Sequence, residues 1–187
     1  MLAINFTPFP GLTTERLQFR QLVSDDTKEI FRLRSDERVN RFLTRNQYNT
    51  LEEAGAFINK INRGVHNNEW IYWAIAFKND NKLIGTICLW NIQPENHRAE
   101  IGYELNPDYW GKGIMKEAMP KIIEYGFDIM KLHSIEADLD PGNSQSVMLL
   151  EKNGFIKEGH LRESTFFEGR FSDRAVYSLI NDKSVSP

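Results

Sequence analysis

The sequence predicts a mixed α/β fold in which strands and helices share one core. Two observations carry this reading. Apolar residues recur with period two in some segments and at helical spacing in others, and the two kinds of segment alternate along the chain instead of separating into halves. At 187 residues the chain is about one domain long and can bury a substantial core. No internal repeat and no linker rich in Pro, Gly or Ser divides it, so residues 1–187 are read as a single domain.

The elements follow in order. Glu15 to Leu22 alternates Leu17 and Phe19 with Arg16, Gln18 and Arg20, the pattern of a half-buried strand. Ser24-Asp25-Asp26 offers a helix N-cap with acids in the first turn, and Ile30 and Leu33 begin its apolar face. A second helix starts at Thr50 with a capping box to Glu53, and Ala54, Phe57, Ile58 and Ile61 form its buried stripe. Strands are expected over 70–77 and 82–92, joined by the polar turn Lys78-Asn79-Asp80-Asn81, and a third over 98–105. Ile114 to Met130 has helical spacing. A strand over 133–139, a helix over 143–153 and a strand over 155–161 follow, and a hairpin at 166–171 leads into a last strand over 175–180.

Composition narrows the function classes. Hydrophobic residues at 41% and charged residues at 26% fit a soluble globular protein and exclude disorder or membrane residence. The longest apolar runs, such as Trp70 to Phe77, fall far short of the roughly 20 residues of a membrane span. The first residues show no basic segment followed by an apolar stretch, so no signal peptide is expected. The lone Cys88 sits in an apolar run and reads as a buried thiol; a cytoplasmic location fits. A net charge of −3 argues against nucleic acid, whose phosphates need clustered Lys and Arg. His66, His97, His133 and His160 lack metal-ligand spacing, so no metal is expected.

The chemistry concentrates in two segments. In Glu100-Ile-Gly-Tyr-Glu-Leu-Asn-Pro-Asp-Tyr-Trp-Gly-Lys-Gly-Ile-Met, a strand ends at a proline and a loop with two glycines opens into a helix. A helix N-terminus carries unpaired N–H groups and partial positive charge, which suits a phosphate. Gly111 and Gly113 let the backbone approach the anion, and Lys112 adds a charge. Taken alone, this loop reads equally well as a simple strand-to-helix turn. Neither a P-loop nor a dinucleotide fingerprint is present. In the second segment, Asn143 and Ser146 lie one turn apart at a helix start, where Asn143 also suits a cap. Gly154 has the place of a left-handed C-cap.

Together these segments resemble the GCN5-related N-acetyltransferase (GNAT) superfamily, and within it the ribosomal-protein N-terminal (Rim-type) branch. The resemblance rests on Thr14-Glu15-Arg16-Leu17, Ala99-Glu100-Ile101-Gly102-Tyr103, Tyr109-Trp110-Gly111-Lys112-Gly113-Ile114, Asn143-x-x-Ser146, Lys152-Asn153-Gly154-Phe155 and Glu158-Gly159-His160-Leu161-Arg162, in that order. It implies a central, mostly antiparallel sheet flanked by helices and splayed at an acetyl-CoA cleft, with 101–106 parting from 133–139. Two departures stand out. Asp108 occupies a place where many members have Gln or Arg, and Pro120 interrupts the following helix, where a kink near Lys116 is expected.

The resemblance further implies an acyltransferase in which an amine attacks the thioester of acetyl-CoA directly. Leu105, Asn106, Trp110, Gly111, Lys112, Gly113, Ile114, Asn143 and Ser146 would hold the coenzyme. Glu100 is the first candidate base and Glu104 the second; alternation puts both on one face unless a bulge intervenes. Ser146 would lie near the departing sulfur, with Tyr103, Tyr109 and Tyr72 as other proton sources. The acceptor site is expected between the first two helices, around Arg41-Phe42-Leu43, and the hairpin Phe166 to Arg170. A protein N-terminal α-amine is the leading acceptor; a polyamine, amino acid or drug amine is the alternative, as is a catalytically silent acetyl-CoA-binding module. The mixed signs of 32–45 disfavour a polycation. A homodimer is compatible with the sequence, which does not define the oligomeric state.

Overall fold

In the computed structural model, which describes residues 2–182, one eight-stranded sheet runs through the molecule in the order β1-β2-β3-β4-β5-β6-β8-β7. Its strands are β1 Leu12–Thr13, β2 Leu17–Arg20, β3 Ile71–Phe77, β4 Asp80–Gln93, β5 Arg98–Leu105, β6 Ser134–Leu139, β7 Ile156–Phe167 and β8 Arg170–Ile180. Every neighbouring pair is antiparallel except β5 and β6. The helices are α1 Thr27–Ser35, α2 Glu37–Asn40, α3 Leu51–His66, α4 Ile114–Glu124 and α5 Ser144–Lys152. No helix among the described residues is long and apolar enough to cross a membrane.

The mixed α/β reading and the order of the major elements agree with this architecture; the differences are local. The first strand is shorter than 15–22, and β1 and the four-residue α2 are additions. Ser24-Asp25-Asp26 forms a 3-10 turn before α1 instead of a simple cap. Asp26 is buried there; its carboxylate accepts from the Val23 N–H at 2.9 Å and from both terminal nitrogens of Arg20 at 2.7 Å. The capping box of α3 is present: Thr50 Oγ1 accepts from the Glu53 N–H at 3.3 Å, and Glu53 Oε2 accepts from the Thr50 N–H at 2.9 Å.

The α-helix continues through Lys116 and Pro120 as far as Glu124, and a π turn follows over Tyr125–Ile129, with the Met130 N–H on the Tyr125 carbonyl at 3.0 Å. Lys116 and Pro120 both lie on the exposed side of α4, where water can satisfy the carbonyl that proline leaves without a donor.

The core fixes α4 against the sheet. Trp73 is fully buried, packs edge-on against Tyr125 at 5.1 Å between ring centroids, and donates its indole N–H to the Pro10 carbonyl at 2.8 Å. Ile114, Ala118, Met119 and Ile122 form the buried stripe of α4, so the Gly111–Gly113 loop rests on a helix anchored in the core.

Two features of β4 and β5 set up the site. Their register runs without a slip from Gly85↔Leu105 to Trp90↔Glu100, so Glu100, Gly102 and Glu104 share one face and no bulge separates the acids. At Gly85 the strands come unusually close: a Cβ there would sit 2.5 Å from the Glu104 carbonyl and 3.2 Å from the Leu105 Cα, both backbone atoms that cannot swing away. Gly85→Ala is therefore expected to destabilise the fold by about 2 kcal/mol through overpacking. Urea denaturation measures this, and an unchanged midpoint would show that the strands can separate at little cost.

Candidate active site

The parallel pair β5–β6 pairs only at Arg98↔Ser134, Ala99↔Ile135 and Glu100↔Glu136. Beyond that point β5 stays with β4 as far as Leu105, and β6 stays with β8 as far as Leu139. The two strands thus part after Glu100, as the family resemblance implied for 101–106. Extended backbone from Ile101 onward is left with no strand on its β6 side, and such polar groups call for a partner. An extended ligand arm with its own amides can supply it, as an added strand would.

Two side chains span the opening. The Tyr103 hydroxyl and Ser146 Oγ are hydrogen-bonded to each other, joining β5 to the first turn of α5. Ser146 is held there because Asn143 caps α5: the Asn143 side-chain oxygen accepts the Ser146 N–H at 3.2 Å. Capping takes up that oxygen and leaves the Asn143 amide nitrogen for a ligand. Burial pushes the Tyr103 phenol up to about 12, with the Ser146 hydrogen bond opposing. Of the other tyrosines, Tyr72 bonds Thr86 Oγ1 at 3.1 Å and Tyr109 packs on Phe77, so neither shares the Tyr103–Ser146 contact.

The Gly111–Gly113 loop lies beyond the far end of β5. Gly111 and Gly113 have φ of +71° and +72°, left-handed conformations natural to glycine, and the helix begins at Ile114. Such a turn directs successive N–H groups to one side, in line with the helix N-terminus. Internal bonds brace its approach. The Trp110 indole donates to the Leu105 carbonyl at 2.8 Å, the Asn106 N–H to the Ile84 carbonyl at 2.9 Å, and the Asn106 side chain accepts from the Asp108 N–H at 3.0 Å. The Leu105 carbonyl and the Asn106 N–H are therefore engaged by the protein itself. Lys112 extends over the Tyr109 ring, 5.3 Å from its centroid.

The two candidate bases have opposite environments. Glu100 is half-buried where the strands part. Burial raises its carboxyl to about 7, the nearby charges of Asp138 and Glu136 add to this, and Asn91 and Arg174 oppose it. Glu104 is also half-buried, but Arg45 binds it with two nitrogens, one at 2.9 Å, and Arg34 approaches at 3.7 Å. Burial there opposes ionisation, yet Arg45 and then Arg34 outweigh it and hold Glu104 below the usual carboxylate range. Arg34 is wedged against Phe57 and Tyr48, 3.9 and 4.9 Å from their ring centroids. Its Nε and Nη1 are buried without a hydrogen-bond partner. Two guanidinium groups thus face one carboxylate.

Beside this cluster is a cavity of about 440 Å³ lined by Arg41, Leu43, Arg45, Phe167, Glu168 and Arg170, among others. It brings together the α2–α3 connection and the β7–β8 turn, the two segments expected to frame the acceptor. Arg34 and Arg45 are what the reading of the residues missed as partners of Glu104. The alternating signs of 32–45 were the available signal, but nothing local says that 45 reaches 104.

A strand pair that parts beside a raised carboxylate, with a left-handed glycine loop opening a helix at the other end, is an arrangement suited to an acyl-transferring enzyme. The chain belongs to the acetyltransferase (GNAT) domain family, whose model matches residues 16–156. The uncharacterized N-acetyltransferase YoaA of Bacillus subtilis (strain 168) is 34% identical over 175 residues, covering 94% of this chain and 99% of YoaA. Among solved structures, the ribosomal-protein-S5-alanine acetyltransferase of Vibrio fischeri superposes with a TM-score of 0.80 at 28% identity, over 95% of this chain and 100% of that one. The spermidine N-acetyltransferase of Vibrio cholerae, in complex with CoA and spermine, also gives 0.80, at 26% identity over 92% and 100%. This protein is an acetyl-CoA-dependent N-acetyltransferase, and among the relatives whose names give an acceptor both ribosomal proteins and spermidine occur. Among the described residues no group of three or more His, Cys, Asp or Glu is placed to hold a metal.

The Glu104 cluster has a measurable weight. Glu104→Gln leaves two buried guanidinium groups without their anion, a change expected to cost about 3 kcal/mol. Because the native carboxyl is depressed, its contribution is complete above the unfolded value near 4.5 and fades as pH falls through the lower native one. Denaturant titrations of both proteins at pH 7 and at pH 3 measure it. The gap should narrow at the lower pH; equal stability at pH 7 would show that the cluster does not hold the cleft.

Proposed function

We propose that the acceptor is a protein N-terminal α-amine of the ribosomal-protein type, with Glu100 as the general base. The observation that carries this reading is Glu100 itself, a carboxylate raised to about 7 where β5 leaves β6. The attacking nitrogen must be neutral. Near pH 7 an α-amine with a pKa of about 7.7–8.0 needs about 1 kcal/mol to lose its proton, whereas an alkylamine near 10.4 needs about 4 to 5. A base near 7 is matched to the first.

Charge supports the same choice. Glu104, the other acid on this face of β5, is neutralised by Arg45, and Arg34 leaves the floor of the cleft with excess positive charge. The acids of the cavity, Glu37 and Glu168, are exposed, where solvent screens them more than it screens the buried guanidinium groups. A positive floor disfavours a polyamine and favours the neutral form of an approaching amine.

In this reading the backbone of 101–105 and the loop at 111–114 hold the pantetheine arm and pyrophosphate, with Leu105, Asn106, Trp110, Lys112 and Asn143 shaping the channel. The amine nitrogen attacks the thioester carbon, its proton passes to Glu100 directly or through water, and the C–S bond breaks to release CoA as a thiolate. Tyr103 and Ser146 stand at the opening for that sulfur. A phenol raised to about 12 is a weaker acid than a thiol near 8.5, so the pair stabilises the thiolate by hydrogen bonding more readily than by full proton donation. The buried lone Cys88 suits a reducing, cytoplasmic setting.

Release of free thiol from acetyl-CoA, measured against peptides with free N-termini and against spermidine, tests the reading. Peptides should be the better acceptors, and kcat/KM should rise with pH along a limb centred near 7. In Glu100→Gln the component near 7 should vanish, leaving only the rise from the peptide's own α-amine near 8, with turnover lowered about 100-fold above pH 7. A wild-type profile in the variant would remove Glu100 as the base, and faster turnover of spermidine would overturn the acceptor assignment.

A further inference from the structure

The segment Thr14-Glu15-Arg16-Leu17 takes no part in the chemistry described so far, yet the fold brings it onto the coenzyme loop. Its contacts converge on Glu117, in the first turn of α4. Glu117 Oε1 accepts from Thr14 Oγ1 at 2.5 Å and from the Arg16 backbone N–H at 2.8 Å, while Oε2 accepts from Arg16 Nε at 2.6 Å. Arg16 Nη1 donates to the Lys112 carbonyl at 3.1 Å. The Arg16 backbone carbonyl in turn accepts the Lys78 N–H at 3.0 Å. Backbone and side chain are therefore both tied down, and the guanidinium plane is fixed by two of its three nitrogens.

The third nitrogen is the informative one. A Cβ built on Gly113 would lie 3.6 Å from Arg16 Nη2, so this group sits beside the left-handed glycine that opens α4. No carboxylate or carbonyl of the described residues is hydrogen-bonded to Nη2, and the side chain is 44% exposed, open to a ligand arriving over the loop. Meanwhile the loop itself is poor in cations. Asp108 brings an acid, and Lys112 leans over Tyr109. Three donors already cover the Glu117 oxygens, so its charge faces Thr14 and Arg16 and not the open side of Gly113.

We propose that Arg16 is a coenzyme-binding residue whose free Nη2 donates to a pyrophosphate oxygen of acetyl-CoA, with Glu117 and Thr14 as the positioning residues that aim it. A cation for the loop would thus arrive from the bend just before β2, far earlier in the chain. The proposal rests on the loop being the phosphate site, and the test separates the two.

The test compares acetyl-CoA with S-acetylpantetheine, which keeps the thioester and the amide arm but has no phosphate. In the wild type, acetyl-CoA should have the lower KM; equal values would overturn the phosphate loop itself. In Arg16→Ala the KM for acetyl-CoA should rise about tenfold, well beyond any fall in kcat, while the KM for S-acetylpantetheine stays within a factor of two. Glu117→Gln should give a smaller rise with the same selectivity. If Arg16→Ala fails to fold, Arg16→Gln is read in the same way. An equal penalty on both substrates would reduce Arg16 to a structural tether and overturn the proposal, as would no penalty on either.

Discussion

A parallel strand pair in the middle of an otherwise antiparallel sheet holds for three residue pairs and then opens, because each strand keeps its other neighbour. β4 retains β5 through Leu105 and β8 retains β6 through Leu139, so neither can follow the other. The rest of the site depends on that parting. It leaves polar backbone without strand partners, it places Glu100 on the last paired residue, and it puts the Tyr103–Ser146 contact across the gap. An acyl-thioester on a long amide arm is a ligand whose shape and polarity match such a slot. At the end of β5, the left-handed glycines of the 111–113 loop open directly into α4.

Two carboxylates on one strand face do different work because their surroundings differ. Glu100 sees burial and two acids, Asp138 and Glu136, and is raised toward neutrality. Glu104 sees more burial, but Arg45 and Arg34 reverse its effect. Residues of one kind, four positions apart, thereby separate into a titrating group and a permanent anion. Arg34, with two buried nitrogens unpartnered, leaves the Glu104 cluster with one guanidinium in excess of its carboxylate.

Much of the fold was legible because it is written in local signals. The box Thr50–Glu53, the alternation over 98–105, Gly154 in its left-handed C-cap and the helix after Gly113 each follow from a few neighbouring residues. The π turn at Tyr125 was not legible, because it answers to packing: a Cβ at Gly126 would already crowd Ile135, Leu132 and Leu89. Spacing placed Asn143 and Ser146 one turn apart at a helix start, and both lie at the start of α5. The partners that set each group's chemistry were hidden, since Arg45 to Glu104 and Arg16 to Glu117 are contacts between distant segments, and only the folded sheet brings them together.

Amide hydrogen exchange with and without saturating CoA addresses the opening directly. If the coenzyme arm occupies it, the amides of 102–105 that face β6, together with those of 111–114, should slow on binding, while those of β3 stay unchanged. Slowing confined to other strands, with 102–105 unaffected, would contradict the account.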